Sequence, residues 1–155
     1  MSQCGCPGSQ AMDFRKEENA GGDAAGSVPS QLRQWPVQLH LVNPMAPYYQ
    51  GADVLLTADC VAYALGNFHS QYLKGKSLAI ACPKLDENQE VYSEKIQSWI
   101  DDAKINTLTV LIMQVPCCRG LLALAQEAAA KAKRKVPVKY AIVSLQGDIL
   151  EEAWA

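Results

Sequence analysis

Along the chain, short continuous apolar runs alternate with longer stretches whose apolar positions recur at helical spacing. The runs are residues 37–42, ended by Asn43-Pro44; 53–58, around Val54-Leu55-Leu56; 77–81; 107–115, containing Val110-Leu111-Ile112-Met113; and 139–143. Each is short, rich in branched aliphatics and bounded by turn formers, which predicts a strand. Between them, residues 61–73 put Val61, Ala64, Leu65, Phe68 and Tyr72 on one side and stop at Gly75. Residues 90–103 place Tyr92, Ile96, Trp99 and Ile100 at core spacing, and residues 121–133 are alanine-rich. Both read as amphipathic helices. The basic residues at 131–135 fit a helix C-terminus, where cations are favoured. Gly147-Asp148 turns the chain back through Ile149 and Leu150.

Strands alternating with helices imply right-handed βαβ units. The expected fold is α/β: three layers, a mostly parallel sheet of about five strands with helices on both faces, in a Rossmann-like topology. Unbroken apolar runs suit strands covered on both faces better than strict alternation would. Residues 1–15 carry Cys4-Gly5-Cys6-Pro7-Gly8-Ser9 and read as a tight loop, able to act as a lid. Residues 16–31, rich in Gly, Ala and Ser, read as a flexible linker. The α/β domain is expected over residues 32–155. No internal repeat is visible.

The composition supports one domain with a real core: 155 residues, 49% of them hydrophobic. A net charge of −2 gives no basis for capturing nucleic acid or an anionic membrane. No apolar stretch is long enough to span a bilayer, and Met1-Ser2-Gln3-Cys4 does not begin a secretory signal. A cytoplasmic location is expected.

Six cysteines change the picture: Cys4, Cys6, Cys60, Cys82, Cys117 and Cys118. In a reducing compartment such residues serve as metal ligands or redox groups more often than as disulfides, although free cysteine is also a common core residue. Their placement favours the first use. Cys60 follows the strand 53–58, Cys82 follows 77–81, and Cys117-Cys118 follow 107–115. In an open parallel sheet the carboxyl ends share one edge, where ligands bind. Helix N-termini there offer unpaired N–H groups that favour thiolate. Distant cysteines are thus expected to converge, with Cys4 and Cys6 completing the set from the lid.

Zinc commonly uses paired Cys-x-x-Cys knuckles, and none occurs here. His40 and His69 have no ligand-like spacing and read as packing or surface residues. Cysteine ligation scattered over several loops suits an iron–sulfur cluster at least as well. The pair Cys117-Cys118 supplies either two ligands, one ligand and one reactive thiol, or a strained vicinal disulfide. Asp59 is placed to cap the helix after Cys60. Lys84 either offsets cluster charge or, with Pro83, simply shapes its loop, and Arg119 beside the vicinal pair either offsets that charge or binds a small anion. No Gly-x-Gly-x-x-Gly or Walker-type loop follows a strand, and no Ser/His/Asp arrangement stands out.

The motifs Cys4-Gly5-Cys6-Pro7-Gly8-Ser9, Leu32-Arg33-Gln34-Trp35-Pro36-Val37-Gln38-Leu39, Thr57-Ala58-Asp59-Cys60, Cys82-Pro83-Lys84-Leu85-Asp86 and Val115-Pro116-Cys117-Cys118 form a specific set. With them the sequence resembles the C-terminal region of a group of ferredoxin-like iron–sulfur proteins of anaerobic bacteria and archaea. There this region commonly follows a bacterial-type ferredoxin module. The two Cys-rich motifs of that module do not occur in this sequence, so only the cysteines present here carry over. Cys117-Cys118 is also weakly similar to Cys-Cys motifs of other cluster proteins, including non-cubane cluster domains, but Arg119 stands where those have Gly.

The resulting expectation is a cluster-bearing redox protein of an anaerobe, in electron transfer or small-molecule redox chemistry with a redox partner protein. The cofactor expected is a 4Fe–4S cluster, or a larger or unusual one using all six cysteines as ligands. Two alternatives stand beside it: a metal-free thiol/disulfide enzyme or sensor working through Cys117-Cys118, and a zinc-stabilised interaction domain.

Overall fold

A computed structural model describes residues 7–15 and 26–155. Two short strands, β1 (Met12–Asp13) and β2 (Gln34–Trp35), pair antiparallel. They are followed by β3 (Asp53–Ala58), α1 (Val61–Ala64), β4 (Ser77–Ala81), α2 (Glu90–Asp101), β5 (Thr107–Met113), α3 (Arg119–Lys131), β6 (Val138–Val143) and β7 (Ile149–Trp154). The main sheet has five strands in the order β4-β3-β5-β6-β7, with β7 antiparallel to β6 and the others parallel.

Burial explains why the central runs are strands. Val54, Leu55, Leu56, Val110, Leu111 and Ile112 are all buried, as strands covered on both faces must be. Helices α2 and α3 pack on each other. Trp99, Ile96, Ile100, Leu121, Ala125 and Ala128 are buried on these helices. The connections β3→β4 and β4→β5 run in opposite directions across the sheet, so right-handed crossovers put α1 and α2 on opposite faces.

The structure corrects two expected elements. Residues 37–42 do not form a strand; in this stretch only Gln38 bridges to Ile80. Leu41 and Val42 both donate backward to Gln38 O, so the chain turns there. The segment instead covers the sheet edge. Ile80 N donates to Val37 O and Leu39 N to Ile80 O, while the buried Gln34 amide bonds both backbone groups of Leu78. Coverage of this kind protects an otherwise open edge. The fifth strand of the sheet is therefore β7, beyond Gly147-Asp148. Nor is residues 61–73 one helix: it is a single α turn, a break at residues 65–67, and a π-helical turn Phe68–Leu73. Val61, Leu65 and Phe68 are buried as expected.

The turn at residues 39–42 is clamped by Lys95 on α2. Its Nζ donates to Leu39 O (2.7 Å), Val42 O (2.9 Å) and His40 O (3.0 Å). Bonds from a charged donor are the stronger kind, and two of these three are part-buried, where a carbonyl left unpartnered is costly. Lys95→Met is expected to cost about 2–3 kcal/mol, read as a lower urea midpoint with unchanged slope. An unchanged midpoint would mean that water replaces the ammonium at no cost.

Candidate functional site

The strand order decides which loops meet. The connection leaving β3 runs to β4 on one side, and that leaving β5 runs to β6 on the other. Where neighbouring parallel strands send their connections in opposite directions, a crevice opens outside their carboxyl ends. Cys60 lies on the first of these two loops, and Cys117 and Cys118 on the second. Cys82 follows β4, the other neighbour of β3.

Cys60 is the residue just before α1, and its side chain is exposed. Cys117 is exposed and Cys118 buried, both in a 3-10 turn (Pro116–Cys118) that runs directly into α3. Burial pushes the Cys118 thiol above its usual pKa. A backbone bond at Met113 opposes this, and the Cys117 and Cys60 sulfurs reinforce it. Cys118 therefore lies within electrostatic reach of both Cys117 and Cys60, although almost sixty residues separate it from Cys60.

Cys82 is part-buried and held by its own loop. Its N–H donates to Asp86 Oδ2 (2.9 Å), and Asp86 N–H donates back to Cys82 O (3.0 Å). Asp86 also accepts the Tyr92 hydroxyl, and Gln89 Nε2 donates to Pro83 O and Asp86 O. The loop reaches the start of α3: a Cβ on Gly120 would stand 3.3 Å from Pro83 Cβ. So the residues after β4 touch the residues after Cys118. Burial, then Asp86, pushes the Tyr92 phenol strongly upward, and Asp59 and Cys82 also act on it.

Asp59 does not cap α1. The cap position is Cys60, and no side chain bonds there. The carboxyl of Asp59 is instead part-buried, with Oδ1 enclosed and without a hydrogen-bond partner among the described residues. Burial raises its pKa, Asp86 adds to this, and a bond from Gln38 works against it. Lys84 and Arg119 are exposed on the same edge. His40 stacks against Tyr92, and His69 Nδ1 accepts Gln31 N–H (3.0 Å), so both histidines are tied into packing. Cys4 and Cys6 lie outside the described residues. Gly8 O, which does not, accepts Trp35 Nε1–H at 2.6 Å.

Among the described residues, no three His, Cys, Asp or Glu side chains are gathered tightly enough to hold a single metal ion. A four-iron cluster is much wider than one ion, and its ligands stand correspondingly further apart. Soft sulfur donors on separate loops around one crevice fit such a group. The sequence pattern identified the cysteines, but it gave Trp35 and Tyr63 no site role and Asp59 only a capping one. Their meeting around an adjoining cavity arises only on folding.

The fold and this edge define the class of protein: the chain belongs to the Rossmann-like domain family, whose pattern matches residues 46–154. An uncharacterized protein of Archaeoglobus fulgidus is 27% identical over 121 residues, covering 77% of this chain and 83% of that protein. No solved structure matches the chain. Among the described residues no helix is long and apolar enough to cross a membrane.

Proposed function

We propose that this chain is an iron–sulfur redox protein that holds a 4Fe–4S cluster in the crevice outside β3 and β5. The observation that carries this reading is the opposition of Cys60 and Cys117-Cys118 across the point where the sheet connections diverge. Cys60 and Cys117 offer exposed sulfurs, and Cys82 borders them on a braced loop. Cys4 and Cys6 complete the candidate ligand set, and Gly8, anchored to Trp35, stands two residues after Cys6 in the sequence. The likeness of the cysteine motifs to the region that follows ferredoxin modules in anaerobes supports the same cofactor. When bound, the cluster would supply one-electron chemistry. The chain's own part is to place the thiolates and to offset their charge, with the start of α3 and with Arg119 and Lys84 nearby. A cytoplasmic setting and a redox partner protein belong to this proposal.

The thiol-only alternative draws on the contact between the Cys117 and Cys118 side chains. Burial raises the Cys118 pKa, which leaves the exposed Cys117 as the attacking thiol in that alternative.

The test is expression and purification under anaerobic conditions with adequate iron, followed by iron, zinc and sulfide analysis and electron paramagnetic resonance. The expected result is a coloured protein with iron and acid-labile sulfide in similar amounts and a cluster signal in one redox state. A colourless, iron-free protein overturns the proposal. Stoichiometric zinc would support the interaction domain, and a reversible Cys117-Cys118 disulfide without metal would support the thiol enzyme.

A further inference from the structure

A cavity of about 240 Å³ opens beside the cysteine edge, on the α1 side of β3 and β4. Its walls are mostly apolar, with Trp35, Phe68, Leu78 and Ile80 among them. The polar residues in its lining include Ser30, Thr57, Asp59 and His69. An apolar cavity of roughly 150 Å³ is large enough for benzene, so this one has room for two fused rings. Mostly apolar, preformed concavities with a few convergent polar groups are the usual form of small-molecule sites.

Further details point to an occupant. Tyr63 lines the cavity yet is 95% exposed, an aromatic ring at the rim with almost nothing packed on it. The walls are fixed in place, since Trp35 Nε1 donates to Gly8 O and His69 Nδ1 accepts Gln31 N–H. That bond leaves the neutral His69 ring with its proton on Nε2. Asp59 brings an acceptor carboxyl to the lining, and its Oδ1, enclosed and without a partner among the described residues, meets a donor in the cavity only after a turn of the side chain. The apolar walls would make burial of a charge costly.

We propose that this cavity binds a neutral two-ring aromatic molecule carrying one hydroxyl or ring N–H donor. The rings lie between Trp35, Phe68 and Tyr63, and the donor is directed to the Asp59 carboxyl. The site depends on the cavity alone and stands whether or not the cysteines hold a metal.

The test is titration of the full chain with 2-naphthol, followed by two-dimensional amide and indole NMR. A matched titration uses 2-methoxynaphthalene, which has the rings but no donor. The expected result is a saturable shift of the Trp35 indole and neighbouring amides, with 2-naphthol binding about fivefold tighter than its ether. Ala62 lines the cavity and is exposed, so Ala62→Trp is expected to fill the mouth from the surface. It should weaken 2-naphthol binding at least tenfold while leaving the rest of the spectrum folded. Tyr63→Ala should weaken it severalfold. The absence of a saturable shift, or an affinity unchanged by Ala62→Trp, overturns the site. Equal affinities for the alcohol and the ether overturn the directed donor.

Discussion

Under the proposed cluster assignment, Cys60→Ser and Cys117→Ser are each expected to lose iron on anaerobic preparation, while their iron-free forms melt where the unaltered iron-free chain does. Both side chains are exposed, so a serine there removes no core packing. Both sit on short connections from buried central strands, β3 and β5, so neither sulfur is easily replaced by a shift of its loop. Oxygen is a poor substitute for thiolate toward iron in a cluster. Loss of one ligand is therefore expected to lower cluster retention by about 100-fold or more, above the 10- to 100-fold typical of groups that only support a ligand. Cys82→Ser should be nearly as damaging. Cys118 is a less direct test, because it is 7% exposed and belongs to the core, so its replacement mixes ligand loss with packing. The measurement is iron per chain beside a melting curve for each variant. Full iron content and an unchanged spectrum in both Cys60→Ser and Cys117→Ser would remove the crevice as the cluster site.

Gly147→Ala should be more damaging than alanine at Gly26, Gly51, Gly66, Gly75 or Gly120. Gly147 has φ +90°, a conformation that side chains with a Cβ rarely adopt. A Cβ there would also lie 2.4 Å from Ala64 O, a backbone atom that cannot rotate away. Backbone strain of this kind costs about 1–3 kcal/mol, and the contact adds to it. A fall in Tm of about 5–10 °C follows at this chain length. Gly51→Ala is the control: it shares the positive φ, at +61°, but has open space around the added methyl. It should cost only about 1 kcal/mol. If the two variants melt together, the close approach to Ala64 contributes nothing. The contact also links the β6–β7 turn to α1, which begins at Val61 directly after Cys60. Gly147→Ala should therefore also lower iron retention, whereas Gly51→Ala should not.

Much of this architecture is legible along the chain. The strands Asp53–Ala58 and Ser77–Ala81 coincide with their runs, because a strand buried on both faces is apolar at most successive positions. Helix α2 likewise follows from Tyr92, Ile96, Trp99 and Ile100, all buried at helical spacing. The position of Cys60, Cys82 and Cys117-Cys118 just after strands is also a property of the sequence. Residues 37–42 were misleading for a physical reason. Their apolar side chains are needed to cover an edge, and Leu39 and Val42 are buried in doing so, but the backbone turns at Gln38. Strand β7 is mostly exposed, and its place beside β6 rests on backbone pairing and on side-chain pairs such as Lys139 with Glu152 and Tyr140 with Glu151.

What the residues determined on their own is a set of elements and a set of thiols at their ends. Which thiols face each other was decided by the order β4-β3-β5-β6-β7, through pairings such as Leu55 with Leu78 and Leu55 with Thr109. Those contacts join residues far apart in the chain, and local periodicity carries no information about them. Tertiary packing also made the cavity between Trp35, Asp59, Tyr63 and His69. It formed because an N-terminal segment with no strong pattern of its own lies across the sheet.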